Sequence, residues 1–464
     1  MSNLTYFYTA AQSAIAKELV SFHTLPLGNL KSLDVSGFKE KYIDLIKSNY
    51  EITVTEPFID SIASRSSVLK DAEYAASKTF CTDSTLFVCS GTTVSNQIAV
   101  RSLCNERSRI IAQKGLHQSF HFAINSVEVL NKTYIEDIEI DEQRGMSSLN
   151  VELMIKELKR AENINQGYDV VIVNSQTYEG IQQKLDEILP LLIEHGPSLK
   201  TIIIDEAWGA WSKFSDKLSK HCAINAANEI RKHHKIDIII THSAHKSLFA
   251  CRQASYLHCI GNIDTVECLS KVRYQIHTTS PSYKHLASLD LAQAHAKEEG
   301  KVYANRAEEN AQLFKRLAQE KLSLIKVIGT SDVNLIKKQD YIVIDETKVW
   351  LDISDLKITG YELRKILYEN HNIYINRYTE TSALFNVHFG ITRQNIERLI
   401  QSLVSIEKKY QLSTTQLSEN CISEFFIISY PPGVPIIVPG ERISKIRLQK
   451  IKSCIRSGAL IKII

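Results

Sequence analysis

Short apolar runs, separated by segments long enough for amphipathic helices, dominate the chain from about residue 51 to residue 290. Five of these runs cover residues 85–89, 109–112, 169–173, 201–204 and 236–240. Runs of this length with few polar residues are typical of strands that are buried on both faces. The pattern therefore predicts an α/β fold with a large, mostly parallel sheet that helices cover on both sides.

The pattern changes on either side of this region. Residues 1–50 predict an N-terminal segment of helices and loops, with a break at 25–28, and 51–290 would form the large domain. A charged helical stretch follows from Leu291 to about Glu320, and short strands and helices then alternate to about residue 410. We expect 291–410 to form a smaller α/β domain, and 411–464 a C-terminal segment with a Pro- and Gly-rich run and a basic tail.

Composition narrows the class of protein. The 464 residues are 44% hydrophobic and 23% charged, which is ordinary for a globular chain, and a net charge of +3 gives no argument for nucleic acid or an anionic membrane. The nine cysteines include no Cys-x-x-Cys pair, so we expect reduced thiols and no metal site. The N-terminus does not resemble a signal peptide, and no apolar run approaches eighteen residues. These features predict a soluble cytoplasmic protein.

Charged residues follow two of the predicted strands. Asp205 comes directly after 201–204, and Lys246 ends the sequence Ser-Ala-His-Lys after 236–240. Two buried strands that end this way are the arrangement that holds pyridoxal 5'-phosphate, in which the lysine forms a Schiff base and the aspartate keeps the pyridine nitrogen protonated. As alternatives, Asp205 would only cap a helix, and a lysine without such neighbours would lie at the surface.

A turn of small residues, Ser90-Gly91-Thr92-Thr93, lies between the run 85–89 and a helix-like segment. Free backbone N–H groups and the positive end of a helix dipole suit a phosphate group. A simple helix cap is the alternative. Because this turn precedes Asp205 and Lys246 in the sequence, a phosphate site is favoured over a simple helix cap.

Four further residues fit the same site. His117 follows the run 109–112, and its imidazole would stack on a pyridine ring unless it is a surface or structural histidine. Ala207 is small enough to pack against the opposite face of the ring. Ser243 and His245 precede the lysine and would reach the phosphate.

With these residues in place, the chain resembles the ornithine/lysine/arginine decarboxylase family, pyridoxal-phosphate enzymes of the aspartate-aminotransferase fold (fold type I). The resemblance rests on an ordered set of segments over roughly residues 50 to 445: 90–96, 177–180, 205–208, 243–246, 253–258, 278–283, 287–290, 360–362 and 430–441. It identifies the chain as a short member without the N-terminal wing domain of the longer enzymes.

The resemblance implies a function and roles for residues. The reaction would be decarboxylation of a basic amino acid (arginine, lysine, ornithine or a modified relative) to the amine and CO2, as in polyamine biosynthesis. Lys246 would carry the cofactor, Asp205 would contact its pyridine nitrogen, and His117 would stack on its ring. Thr92, Thr93, Ser243 and His245 would contact the phosphate. Members are at least homodimers with the active site at the interface, so Ser280 or Ser282 would complete the neighbouring subunit's phosphate site.

The chain departs from the family on the substrate side. Residues 22–28 read Phe-His-Thr-Leu-Pro-Leu-Gly where the family has His-x-Pro-Gly-His, and the lysine that follows the stacking histidine is lost. Asn376-Arg377 replaces a glutamate of the family. Arg377 would either hold a carboxylate in a bidentate fashion or lie at the surface.

Two other functions therefore stay open. One is a pyridoxal-phosphate enzyme of altered chemistry, such as an oxidase or aminotransferase, since the cofactor residues do not choose the bond that breaks. The other is a catalytically inactive relative, against which Lys246, Asp205 and His117 together argue.

Overall fold

The computed structural model describes residues 5–52, 54, 59, 62, 68–329, 340–415, 421–430, 434–456 and 460–463. The helices are α1 Tyr6–Ile15, α2 Lys39–Lys47, α3 Val68–Phe80, α4 Gly91–Leu103, α5 Gln118–Ser126, α6 Val151–Asn163, α7 Leu185–His195, α8 Ala223–His233, α9 Ala244–Ser247, α10 Ile263–Ile276, α11 Tyr283–Lys321, α12 Gly360–His371, α13 Arg393–Thr415 and α14 Lys445–Arg456. The strands are β1 Val20–Ser21, β2 Ser84–Val88, β3 Arg109–Gln113, β4 Asn131–Ile135, β5 Ile138–Asp141, β6 Met146–Ser148, β7 Val170–Asn174, β8 Ile181–Gln183, β9 Thr201–Asp205, β10 Asp237–His242, β11 Ser255–Ile260, β12 Lys326–Val327, β13 Ile342–Ile344, β14 Lys348–Asp352, β15 Ile373–Tyr374, β16 Ser382–Asn386, β17 Ile427–Tyr430, β18 Val434–Ile437 and β19 Leu460–Ile463.

A seven-stranded sheet in the order β2-β11-β10-β9-β7-β3-β4 forms the centre of the fold. The neighbours from β10 to β4 pair in parallel, and β11 runs antiparallel to both β10 and β2. The five apolar runs predicted as strands are confirmed, with ends that differ by one or two residues. The prediction of a mostly parallel sheet is confirmed as well.

Helices pack on both faces of this sheet, as the apolar strands require. Along β9, Ile203 belongs to one hydrophobic cluster, whereas Ile202 and Ile204 belong to another on the opposite face. Successive side chains of a strand point to opposite faces, so a strand without polar residues needs cover on each side. Helices α4, α5 and α10 supply residues to the first cluster, and α3, α6, α7, α8 and α11 supply the second.

The 39-residue helix α11 connects two hydrophobic cores. Its Leu289, Ala296 and Tyr303 pack in the core of the large sheet, whereas Ala311 and Phe314 pack in a separate core. That second core surrounds the antiparallel sheet β12-β14-β16 and the parallel pair β1-β15. The predicted boundary at 290/291 thus falls inside one continuous helix, and the division into domains stays a proposal.

The C-terminal segment forms a three-stranded antiparallel sheet, β18-β17-β19, with α14 beside it. Residues 431–433 of the segment that resembles the decarboxylases lie outside the described residues. Among the helices that the structure describes, none is both long enough and apolar enough to cross a membrane.

Candidate active site

A cleft of about 590 Å³ opens where β2, β7, β9 and β10 end. The carboxyl ends of strands that run in one direction meet at one edge of a sheet, which is where α/β folds place their ligand sites. The cleft is lined by Ser90, Gly91, Thr92, Thr93, Asn96, Gly115, Leu116, His117, Gly145, Ser147, Asn174, Gln176, Thr177, Tyr178, Glu179, Asp205, Ala207, Trp208, Ser243, His245, Lys246, Arg252 and Gln253. Ten of the twelve residues predicted for the site are in this list.

Asp205 and Lys246 lie at the floor of the cleft. Asp205 is the last residue of β9 and is only 3% exposed, and its register partner in β10 is Thr241, five residues before Lys246. Burial raises the pKa of Asp205, against the opposing effects of the Lys246 charge and of the N–H that Ala207 donates at 3.0 Å. Burial lowers the pKa of Lys246, and the Asp205 charge opposes this. The predicted pair is therefore close enough to interact electrostatically.

The predicted phosphate turn begins helix α4. Gly91 has a φ of +78°, which other residues rarely adopt, and its N–H donates to the Gln253 carbonyl at 2.8 Å. Thr92 is buried, and its Oγ1 lies 2.6 Å from Ser243 Oγ and 3.0 Å from Ser255 Oγ. The bond to Ser243 connects the N-terminus of α4 to that of α9, the short helix that carries Lys246.

Thr93 differs from Thr92 in its burial: the side chain of Thr93 is exposed to the cleft. Ala207 is buried at the floor, and both residues line the cleft as predicted.

His117 is the N-cap residue of α5. Its Nδ1 accepts from the Ser119 N–H at 3.3 Å and lies 2.8 Å from Ser119 Oγ, which in turn accepts from Asn96 Nδ2. Partial burial lowers the pKa of His117. Since Nδ1 accepts, the neutral ring carries its hydrogen on Nε2.

His245 is held by a single backbone carbonyl. Its Nδ1 lies 2.9 Å from the oxygen of Ala254, and burial lowers its pKa to about 4. A carbonyl oxygen can only accept, so Nδ1 carries the hydrogen and Nε2 of the neutral ring is an acceptor. His245 can donate to a phosphate from Nε2 only when it is protonated.

Ser280 and Ser282 are the two predicted site residues that do not line the cleft. Ser280 is exposed, and Ser282 directly precedes α11. His277, at the start of the same loop, accepts the N–H of Cys89 at 2.9 Å, beside the phosphate turn. Their predicted role in a neighbouring subunit stays a prediction.

An aromatic group on the cleft wall was not predicted. The Tyr178 ring stacks on Trp208 with 4.5 Å between centroids and 25° between planes. His23, from the N-terminal segment, bonds the Tyr178 hydroxyl through Nδ1 at 2.8 Å. The segments Thr-Tyr-Glu-Gly and Asp-Glu-Ala-Trp were recognised in the sequence, but nothing there indicates that their rings stack.

Arg377 is partly exposed and pairs with a carboxylate of its own chain. Its Nη2 lies 3.2 Å from Glu179 Oε1 and donates to the Arg144 carbonyl at 3.0 Å. A Cβ on Gly145 would lie 2.7 Å from the same Nη2, so a larger residue there would require the guanidinium to shift. Whether Arg377 also holds a carboxylate of another molecule stays a prediction.

Glu206 points away from the cleft, although it follows Asp205. Its carboxylate accepts from Ser175 Oγ and from the Ala223 N–H, both at 2.7 Å, and lies 2.8 Å from His242 Nε2. His242 Nδ1 lies 3.0 Å from His258 Nε2. This buried chain of polar contacts joins β9, β10 and β11 behind the site and fixes the strand ends that present Asp205 and Lys246.

Comparison with known proteins agrees with this geometry. The family model described as "Orn/Lys/Arg decarboxylase, major domain" matches residues 39–395. The chain is 25% identical to the arginine decarboxylase of Bacillus subtilis (strain 168) over 98% of its own length and 94% of that protein. Among solved structures, it is similar to the constitutive lysine decarboxylase of E. coli, with a TM-score of 0.68 and 18% identity over 93% of this chain and 76% of the other. It is equally similar to the Francisella novicida lysine decarboxylase LdcF, with a TM-score of 0.67 and 20% identity over 93% and 75% of the two chains.

Proposed function

Because this chain belongs to the Orn/Lys/Arg decarboxylase family and is a decarboxylase, we propose that it removes CO2 from a basic amino acid, using pyridoxal 5'-phosphate held in the cleft. The observation that carries the proposal is the pair of Asp205, at the end of β9, and Lys246, in the short helix that follows the neighbouring strand β10, both lining the cleft. Arginine, lysine, ornithine or a modified relative is the substrate class, in line with the arginine decarboxylase that the chain resembles over most of its length.

The residues of the cleft fit this cofactor chemically. Lys246 offers an amine for the aldehyde, and Asp205 offers a carboxylate whose burial disfavours its charge unless a cation lies nearby. A protonated pyridine nitrogen is such a cation. The N-terminus of α4 offers N–H groups. Apart from the neighbouring residues and the backbone of α4 itself, no atom lies within 4 Å of where a Cβ of Gly91 would be, so the backbone there is open to a ligand.

The ten predicted residues that line the cleft would then have the following roles. Lys246 would anchor the aldehyde and Asp205 would bind the ring nitrogen, with His117 and Ala207 against the two ring faces. The phosphate would lie against the α4 N-terminus, contacted by residues Ser90, Gly91, Thr92, Thr93, Ser243 and His245. When bound, the cofactor withdraws electrons from the substrate Cα, so that the bond to the carboxylate can break.

The chain's own residues prepare this chemistry. Asp205 would keep the proton on the ring nitrogen, because burial makes an isolated carboxylate there unfavourable and a charged partner favourable. Ser119 and Asn96 fix the plane of His117. The stacked rings of Tyr178 and Trp208 form an apolar wall that limits water beside Lys246, whose Nζ lies 4.4 Å from the Trp208 ring centre.

We further propose a homodimer in which Ser280 or Ser282 of one subunit reaches the phosphate of the other. The exposed position of Ser280, outside its own cleft, is compatible with this role.

The deciding experiment combines cofactor capture with product analysis. The purified protein is incubated with pyridoxal 5'-phosphate, reduced with borohydride and digested, and the modified peptide is identified by mass spectrometry. Labelling of Lys246, absent in Lys246→Ala, is expected, and labelling elsewhere would refute the cofactor site. Release of CO2 is then measured with arginine, lysine and ornithine. Consumption of an amino acid without CO2 would point to a different reaction on the same cofactor.

A further inference from the structure

Arg252 is a cation of the cleft whose guanidinium has no partner among the described residues. It is exposed and lines the cleft, and its side chain forms no hydrogen bond or ion pair with another residue that the structure describes. The other charged groups of the cleft wall have partners or assigned roles, since Glu179 pairs with Arg377 and Lys246 is proposed to hold the cofactor aldehyde. The guanidinium of Arg252 is therefore available to an anion that enters the cleft.

Arg252 lies in a tight turn that is attached to the N-terminus of α4. The Ala254 N–H donates to the Cys251 carbonyl at 3.0 Å and closes the turn, and the Gly91 N–H donates to the Gln253 carbonyl at 2.8 Å. Gln253 has a φ of +76°, a left-handed conformation that turns usually give to glycine. Such a conformation persists where the surrounding structure imposes it, and it is frequent beside ligand sites.

The residues directly after this turn contact two other members of the proposed phosphate site. The Ala254 carbonyl oxygen lies 2.9 Å from His245 Nδ1, and Ser255 Oγ lies 3.0 Å from Thr92 Oγ1. The chain that follows Arg252 is thus joined at successive residues to the phosphate contacts predicted from the sequence.

Those predicted contacts carry no permanent positive charge. A phosphate monoester carries a charge of about −1.5 to −2 near pH 7, whereas the hydroxyl groups of the site are neutral and the α4 N-terminus supplies only partial charges. Burial lowers the pKa of His245 to about 4, and the charges of Lys246 and Arg252 act in the same direction, so its ring is neutral at that pH in the free protein. A guanidinium stays charged throughout this range and supplies what the other contacts lack.

A substrate carboxylate is the other anion that offers the same chemistry to the guanidinium. Arg252 also lines an adjoining cavity of about 470 Å³, whose wall includes His23 and Tyr374. The hydrogen bonds that join the turn to Gly91 and His245 lead to the phosphate side instead. They favour the phosphate as the anion.

We propose that Arg252 binds the phosphate of the cofactor and supplies the permanent positive charge of the phosphate site. A guanidinium presents its N–H donors in a planar fork that matches two phosphate oxygens. This role rests on the proposed function and deepens it, because it identifies the side chain that neutralises the phosphate.

The first test needs no variant. The full chain is treated with phenylglyoxal, which modifies accessible arginines, in the presence of pyridoxal 5'-phosphate, of saturating pyridoxal or of neither. The modified peptides are then quantified by mass spectrometry. Arg252 is expected to react in the free protein and to be protected by the phosphorylated compound but not by pyridoxal. Equal protection by both compounds, or protection by neither, would overturn the proposal.

The second test changes the charge. Arg252→Gln should raise the Kd of pyridoxal 5'-phosphate about tenfold or more, because a charge-assisted contact is lost, and should leave the Kd of pyridoxal unchanged. Arg252→Lys keeps the charge without the planar fork and should lose less affinity. Arg316→Gln is the matched control, since Arg316 is exposed on α11 and lies beside Glu320.

Two further results would decide against one proposal or the other. A folded Arg252→Gln with an unchanged Kd for the phosphorylated cofactor would overturn the role of Arg252, and a raised KM for the amino acid in that variant would assign the guanidinium to the substrate carboxylate. A parent whose Arg252 is protected by the phosphorylated cofactor, but in which borohydride fixes no cofactor on Lys246, would instead refute the proposed function and leave the role of Arg252 standing.

Discussion

Arg377 and Glu179 form an ion pair at 3.2 Å in the wall of the cleft, and the same guanidinium is held by the Arg144 carbonyl. Burial raises the pKa of Glu179, and the Arg377 charge opposes this. Apart from Asp205, Glu179 is the one acidic side chain among the described residues that line the cleft. A substrate with a cationic side chain would therefore meet Glu179.

The first prediction concerns that contact. Glu179→Gln should raise KM for a basic amino acid by roughly tenfold or more with a smaller change in kcat, since a charge-assisted hydrogen bond contributes about 1.5–3 kcal/mol. Steady-state kinetics with arginine, lysine and ornithine measure it. Glu139→Gln, on strand β5 outside the cleft, is the control, and equal KM values in the parent and Glu179→Gln would remove Glu179 from the substrate site.

The second prediction concerns the floor of the cleft. Asp205→Ala should retain some cofactor but lower kcat by about a hundredfold or more, because no charge would then hold the proton on the ring nitrogen. The absorption spectrum of the bound cofactor and kcat are measured together. Asp355→Asn, which lies outside the cleft and pairs with Lys326, is the control. Turnover at the parent rate would show that Asp205 does not have this role.

The third prediction separates two adjacent threonines. Thr92→Val should lower stability by about 1–3 kcal/mol, because the buried hydroxyls of Ser243 and Ser255 would each lose a partner. Thr93→Val should leave stability unchanged and weaken cofactor binding, because the Thr93 side chain is exposed to the cleft. Chemical denaturation and cofactor titration of both variants check this, and a stability loss in Thr93→Val alone would contradict it.

The fourth prediction is a pH dependence. Burial lowers the pKa of His245 to about 4, so the free protein has a neutral ring at pH 7 with an acceptor on Nε2. Binding a phosphate there must take up a proton, and the contribution of His245 to affinity should therefore fall as pH rises.

His245→Gln tests this dependence, because a glutamine amide donates a hydrogen bond without titrating. The ratio of the variant's Kd to the parent's should decrease from pH 6 to pH 8, and the ratio removes the titration that the phosphate itself undergoes in this range. A constant ratio would mean that His245 does not bind the phosphate as a cation.

Much of the fold could be read from the order of residue types. Uninterrupted apolar runs such as 201–204 and 236–240 need cover on both faces, and this requirement alone predicts a central parallel sheet. Because the carboxyl ends of such strands meet at one edge, the sequence predicts that Asp205 and Lys246 lie together, and both line the cleft. The turn at Gly91 follows from the same reasoning, since a helix must begin after β2.

The remaining features depend on contacts between distant parts of the chain. Arg377 is predicted either at the surface or on a carboxylate of another molecule, because nothing near it in sequence names Glu179 as its neighbour. Strand periodicity determines which residues reach the sheet edge, because it is a local property of the backbone. The contacts of side chains across the cleft depend on how whole elements pack. Helix α11 and the second core place β14 and Arg377 against the large sheet, and only this tertiary packing determines which side chains meet there.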